Sequence, residues 1–224
     1  MSESSSARAA NSSAPICRKI TGPLVIATHN PGKLAEMREL LLPYGIEAVS
    51  AAELDLPAPE ESGSTFRANA RHKAISAAVA AGMTAFADDS GLAVDALGGA
   101  PGVLSARWAG EDRNFSRAME LIEQKMRERG AHAPAARRAH FVSALCLAWP
   151  DRHVEEFDAS IAGTLIWPPR GEQGFGYDPM FLPDGYARTF GEMTRQEKHG
   201  LPPAGRGLSH RARAFLKLAE ACLA

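Results

Sequence analysis

Thr84-Ala85-Phe86-Ala87-Asp88-Asp89-Ser90-Gly91-Leu92-Ala93-Val94-Asp95 is the stretch on which the reading of this chain turns. It reads as a short, apolar, buried strand that ends in two carboxylates, a hydroxyl and a glycine, after which an apolar segment resumes. An unpaired ionised carboxylate in an apolar interior costs several kcal/mol, so packing alone does not account for acids here. Gly91 permits a sharp turn or a close backbone approach where the carboxylates emerge. Neighbouring strand residues point to opposite faces, so Asp88 and Asp89 are expected to have different roles: one faces a site, the other ties down the turn. An Asx turn would explain a lone Asp at a strand end. Two acids with Ser90 and Gly91 after a clean apolar strand point instead to a metal or acid/base site.

Upstream, Leu24-Val25-Ile26-Ala27 is a strand that feeds Thr28-His29-Asn30-Pro31-Gly32-Lys33. Asn30 is a good N-cap and Pro31 suits the first helical position. The helix runs to about Leu42, with Leu34, Met37, Leu40 and Leu41 on one face and Glu36, Arg38 and Glu39 on the other. A strand feeding a helix N-terminus suits phosphate, because first-turn N–H groups, the helix dipole and Lys33 all favour an anion. A Walker loop is absent, and an ordinary capped helix explains this segment equally well. Residues 46–49 read as a second strand and 53–63 as a Pro- and Glu-rich loop. A helix over 64–81 follows, with a small-residue face and Gly82 as its cap. Asn69 and Lys73 lie one turn apart on it and could reach a common ligand, although such a pair is more often solvated surface. Glu60 and Glu61 could add a second metal carboxylate or simply face water.

Downstream, the Gly/Pro-dense run from Leu97 to Gly110 is too apolar for a flexible linker and suggests an ordered loop along a cleft or interface. A helix is expected over 112–129, and an antiparallel hairpin over 141–149 and 153–161 whose first strand is central. In Gly174-Phe175-Gly176-Tyr177-Asp178, glycines free the Phe175 face to stack on a planar ligand, and Asp178 could bond a base edge. A glycine-rich turn with a core Phe is the plainer alternative. Lys198 precedes a Pro/Gly loop, and Ser209 caps a last helix to about Leu223. His210 and Arg211 fall in its first turn, where cations are disfavoured, so they are expected to serve an anion or an acceptor.

Composition sets the outer bounds. The 224 residues, 45% hydrophobic and 23% charged, fit one globular domain over 22–224 after a disordered tail over 1–21. A net charge of −1 gives no bulk field for a nucleic-acid polymer. Cys17, Cys146 and Cys222 are odd in number and far apart, which argues against a disulfide framework or zinc site and for a reducing cytoplasm. No apolar run long enough for a membrane span is present, and no nucleophile motif stands out.

Taken in order, Thr28-His29-Asn30-Pro31-Gly32-Lys33, Ala87-Asp88-Asp89-Ser90-Gly91-Leu92, Gly99-Ala100-Pro101-Gly102 with Ser105-Ala106-Arg107, Gly174-Phe175-Gly176-Tyr177-Asp178-Pro179 and Ser209-His210-Arg211 resemble the inosine triphosphate pyrophosphatase family. The resemblance covers roughly residues 23–223. It implies an α/β fold, a long mixed twisted sheet flanked by helices in two lobes around a central cleft, and a homodimer. The implied reaction is Mg²⁺-dependent hydrolysis of ITP, dITP or XTP to monophosphate and pyrophosphate. Thr28 to Lys33 would be the triphosphate loop and Asp89 the catalytic carboxylate and metal ligand. Glu60, with Glu61 beside it, matches the second acidic position. Ser90 and Lys198 would contact substrate, Phe175, Gly176, Tyr177 and Asp178 would hold the base, and His210 with Arg211 would read its edge. Two departures stand out: Ala68-Asn69-Ala70 where the family often has Glu-Asn-Ala, and a longer segment between Lys198 and Ser209.

Overall fold

The computed structural model describes residues 17–57, 59 and 62–223. Its strands are β1 (Leu24–Ile26), β2 (Ala48–Ser50), β3 (Ala85–Val94), β4 (Arg138–Ala148), β5 (Val154–Leu165) and β6 (Phe181–Pro183). Its α-helices are α1 (Pro31–Leu41), α2 (Phe66–Ala81), α3 (Ser105–Trp108), α4 (Phe115–Glu128), α5 (Arg195–His199) and α6 (His210–Cys222). The strands form one sheet in the order β2-β1-β3-β4-β5-β6. β1 pairs in parallel with β2 and β3, and the remaining pairings are antiparallel, so the sheet is mixed.

The chain moves one way from β1 to β2 and back across β1 to β3. Right-handed crossovers therefore put α1 and α2 on opposite faces of the sheet. The packing follows that rule and the strand alternation. Leu24, Ile26 and Phe86 pack with α1 and α6, whereas Val25, Ala85 and Ala87 pack under the alanine face of α2. A third apolar cluster joins the far end of β3 to α4, Phe141, Phe181 and Phe190 and forms the second lobe. The cleft opens between these bodies, beyond the carboxyl end of β1, where α/β sheets commonly bind ligands.

The decisive stretch differs from its expectation in one respect. β3 does not end at the acids: it pairs with β4 without interruption, Asp88 opposite Leu145 and Asp89 opposite Ala144. Gly91 makes no turn there; it gives the close approach instead, since a Cβ would lie 2.7 Å from the Gly102 carbonyl oxygen. The central hairpin strand is longer than expected, and α3, α5 and β6 appear where no regular element was expected.

Thr65, Asn114 and Ser209 cap α2, α4 and α6 through side-chain oxygens, and Gly82 ends α2 at φ +65°. Residues 17–20, assigned above to the tail, are held. Arg18 bonds Asp151 at 2.8 and 2.9 Å, and the Ile20 amide donates to the Cys222 carbonyl at 3.2 Å. The rest of that tail, residues 1–16, lies outside the described residues. All three cysteines are free, and no described helix is long and apolar enough to cross a membrane.

Candidate functional site: two carboxylates on opposite faces of one strand

A cleft of about 520 Å³ is bordered by the residues after β1, the middle of β3, α2 and the Phe175–Asp178 turn. Of the two acids, Asp89 borders it and Asp88 does not. Asp89, on the α2 face, borders the cleft and takes Lys73 Nζ on Oδ1 at 2.8 Å and Asn69 Nδ2 on Oδ2 at 3.1 Å. Lys73 also donates to the Asp88 carbonyl at 3.0 Å, which fixes the ammonium against the strand. Asn69 receives the Gly63 amide at 2.8 Å, so this side chain ties the acidic loop to the same carboxylate.

Asp88 points the other way and is 1% exposed. It is held by Lys33 at 2.9 Å, Arg211 Nη2 at 3.1 Å, Ser90 Oγ at 2.9 Å and Ser143 Oγ at 2.7 Å. Burial opposes its ionisation, but Arg211 and Lys33 win, and the carboxyl stays well below the ordinary range. Burial also lowers the Lys33 ammonium, with Asp88 opposing the shift. Arg211 continues to Glu36, a buried carboxylate whose Oε1 lies 3.1 Å from His199 Nε2. Burial raises the Glu36 pKa, yet Arg211 and His199 bring it down to about 2. The result is one buried chain of alternating charge from α1 through α6 to β3, in which each ion has a partner.

At the other end of the cleft, Lys198 donates to Asp178 Oδ2 at 2.7 Å, and the Phe175 amide approaches the same oxygen at 3.4 Å. Burial raises Asp178, with Lys198 opposing it. His210 stacks on Phe141 at 4.9 Å and 11° and is neutral, since burial and then Arg211 hold its pKa well below the usual value. Its Nδ1 and Arg211 Nε are buried without a hydrogen-bond partner among the described residues, which leaves polar capacity at the cleft floor.

The Ham1 family model matches residues 24–221. The chain belongs to the Ham1 family. Among Ham1-family relatives, the dITP/XTP pyrophosphatase of Rhodopseudomonas palustris is 70% identical, covering 92% of this chain and 99% of the relative. The dITP/XTP pyrophosphatase of Bradyrhizobium sp. is also 70% identical, covering 92% of this chain and 96% of the relative. A solved HAM1 protein from Coxiella burnetii superposes with a TM-score of 0.78 at 35% identity, covering 89% of this chain and 98% of that one.

In this Ham1-family chain, Thr28, His29, Asn30, Lys33, Asp89, Ser90, Phe175, Gly176, Tyr177, Asp178, Lys198, His210 and Arg211 all line the cleft. Pro31 and Gly32 are not part of its wall. Pro31 opens α1, and Gly32 lies against Phe175, where a Cβ would sit 3.0 Å from the ring. Glu60 and Glu61 lie outside the described residues. Several finer expectations change. The Gly32 and Lys33 amides, expected to be open to an anion, both donate to Asn30 Oδ1 at 2.9 and 3.2 Å. Arg211 is engaged by the protein's own carboxylates. Tyr177 donates its hydroxyl to the Ser105 carbonyl at 2.8 Å and packs edge-on to Phe115, so it braces the second lobe.

Glu36, placed above on the polar face of α1, is 3% exposed, because Arg211 gives it a buried partner. Asn69 and Lys73, weighed above as surface, are buried at Asp89. Their spacing of one helical turn was the available signal. Nothing local marked Ser143, His199 or Arg113, which enter only through tertiary packing.

Proposed function

We propose that this Ham1-family chain hydrolyses noncanonical purine nucleoside triphosphates, namely ITP, dITP and XTP, to the monophosphate and pyrophosphate. The observation that carries the reading is Asp89, a carboxylate fixed at the cleft wall by Lys73 and Asn69 in the same cleft as Lys33. Asp89 is positioned to orient or deprotonate the water that attacks the α-phosphorus. Lys73 and Asn69 fix its two oxygens in place, the kind of positioning on which general-base catalysis depends. Lys33, which lines the cleft, faces the polyphosphate and stabilises the charge that develops on the leaving pyrophosphate. Phe175 offers its ring to the base, while Lys198 and His210 stand at the deep end of the cleft. Donors aimed at the purine 6-oxo group discriminate against adenine, whose amino group would leave them unpaired.

The oxygen donors at Asp89 suit Mg²⁺, which is commonly bound through one or two carboxylates plus substrate phosphates. Asp89, with Glu60 as the second acid, would hold the ion, which supplies charge neutralisation on the phosphates. A cytoplasmic homodimer belongs to the same reading.

The test is pyrophosphate release from ITP, dITP, XTP, ATP, GTP and dTTP with and without Mg²⁺. Metal-dependent release confined to ITP, dITP and XTP supports the assignment. Binding without release overturns the enzymatic reading, and release from another nucleotide overturns the base assignment.

A further inference from the structure

We propose that Arg113 contacts the substrate base and sets selectivity at the purine C2 position, favouring xanthine and disfavouring guanine; the inference rests on the pyrophosphatase reading above. Within the cleft wall, Lys33, Lys73, Lys198 and Arg211 each face a carboxylate of the protein. Arg113 is the remaining lysine or arginine of that wall among the described residues, and no ion pair or hydrogen bond engages its guanidinium. A cation that borders the cleft without an internal partner is available to a ligand.

Its backbone is also unusual. Arg113 has φ +51°, a left-handed conformation that residues with a Cβ seldom adopt and that Gly or Asn would take more easily. The turn is fixed on both sides: the Arg113 amide donates to the Gly110 carbonyl at 3.1 Å and the Asn114 amide to Ala109 at 2.8 Å. Asn114 then caps α4 through the Arg117 amide at 3.1 Å. Two residues on, Phe115 packs edge-on to Tyr177 with ring centroids 5.2 Å apart. Arg113 is thus carried on a rigid turn anchored to the motif assigned to the base.

The chemistry of the six-membered ring then decides what it reads. The edge runs from C6 to C2, and the buried Lys198 and His210 at the deep end are assigned to the C6 oxygen. An exposed guanidinium on the wall takes the opposite end. Guanidinium only donates hydrogen bonds. The 2-oxo group of xanthine accepts one, the C2 hydrogen of hypoxanthine offers nothing, and the 2-amino group of guanine presents a donor to a donor.

The test compares kcat/KM of the full chain and of Arg113→Asn, which suits the turn, for XTP, ITP and GTP. XTP is expected to fall about tenfold or more, ITP to change by less than about threefold, and the GTP to XTP ratio to rise. Arg113→Lys, which keeps a donor, should retain part of the XTP preference. An equal loss on all three would assign Arg113 to the phosphates and overturn the inference, as would no change. If the parent chain releases pyrophosphate from none of them, the pyrophosphatase reading fails. Calorimetric binding of XMP, IMP and GMP to the same variants then tests Arg113 alone: an unchanged order of affinities refutes its role.

Discussion

Replacing Asp88 with Ala tests whether the buried charge chain holds α1 and α6 against the sheet. The carboxylate serves Lys33, Arg211, Ser90 and Ser143 at 2.7 to 3.1 Å. Arg211 keeps Glu36 as a second partner, but the ion pair that Lys33 makes goes to Asp88. Removing one member of a buried pair destabilises by about 3–5 kcal/mol, because the other charge is left uncompensated. Against a total stability of about 5–15 kcal/mol, that is a large fraction. For a chain of this size, each kcal/mol moves Tm by about 2–4 °C, so a fall of roughly 6–20 °C is expected. Asp88→Asn keeps the shape and an acceptor while losing the charge, and should lie between parent and Ala. The assay is urea unfolding followed by circular dichroism at pH 7, together with a thermal melt. A lower midpoint at unchanged m-value is the expected signature. A midpoint within about 0.5 kcal/mol of the parent, the range of ordinary surface changes, would refute the reasoning.

Asp89→Asn should lower kcat by about 10²–10⁴-fold with an unchanged circular dichroism spectrum; near-normal turnover would remove Asp89 from the mechanism. Against its burial, Arg211 and His199 hold the Glu36 carboxyl at about 2, below its ordinary value of about 4.5. Its stabilisation is therefore present above pH 4.5 and lost as pH falls towards 2, worth about 3 kcal/mol. Glu36→Gln should flatten that acid limb in a series of melts, and an unaltered acid limb would contradict the pairing. Gly174 has φ +79°, and a Cβ there would run into the Asp178–Lys198 pair. Gly174→Ala should cost more than about 1 kcal/mol and raise KM for ITP; an unchanged melt would show that the turn tolerates a side chain.

How much of this was written in the chain differs from residue to residue. The alternation rule correctly put Asp88 and Asp89 on opposite faces, because strand periodicity is local and strict, but the turn assigned to one of them does not exist. It did not reveal that the strand continues, since the cations that make mid-strand acids tolerable come from α1, α2 and α6. Asn30, Pro31, Gly82 and Ser209 announced their helix ends because capping depends on a few consecutive residues. Glu36 was misread for the opposite reason: on α1 alone it belongs with Arg38 and Glu39, and its burial is decided by Arg211. The 175–178 motif was legible as part of a cleft wall. The bracing role of Tyr177 was not, because its partner Ser105 lies 72 residues away.

The contact between Ile20 and Cys222 has an engineering consequence. It brings the first and last described stretches of the chain side by side, at the end of α6 opposite Arg211. The 13 residues of that helix span roughly 20 Å, so the junction stands well away from the reacting groups. Closely placed ends are the condition under which a domain tolerates being rewired. A few residues linking 222 to 20 would close the chain into a ring. New ends could then be opened in the 150–152 hairpin turn, leaving both carboxylates and their cations in place.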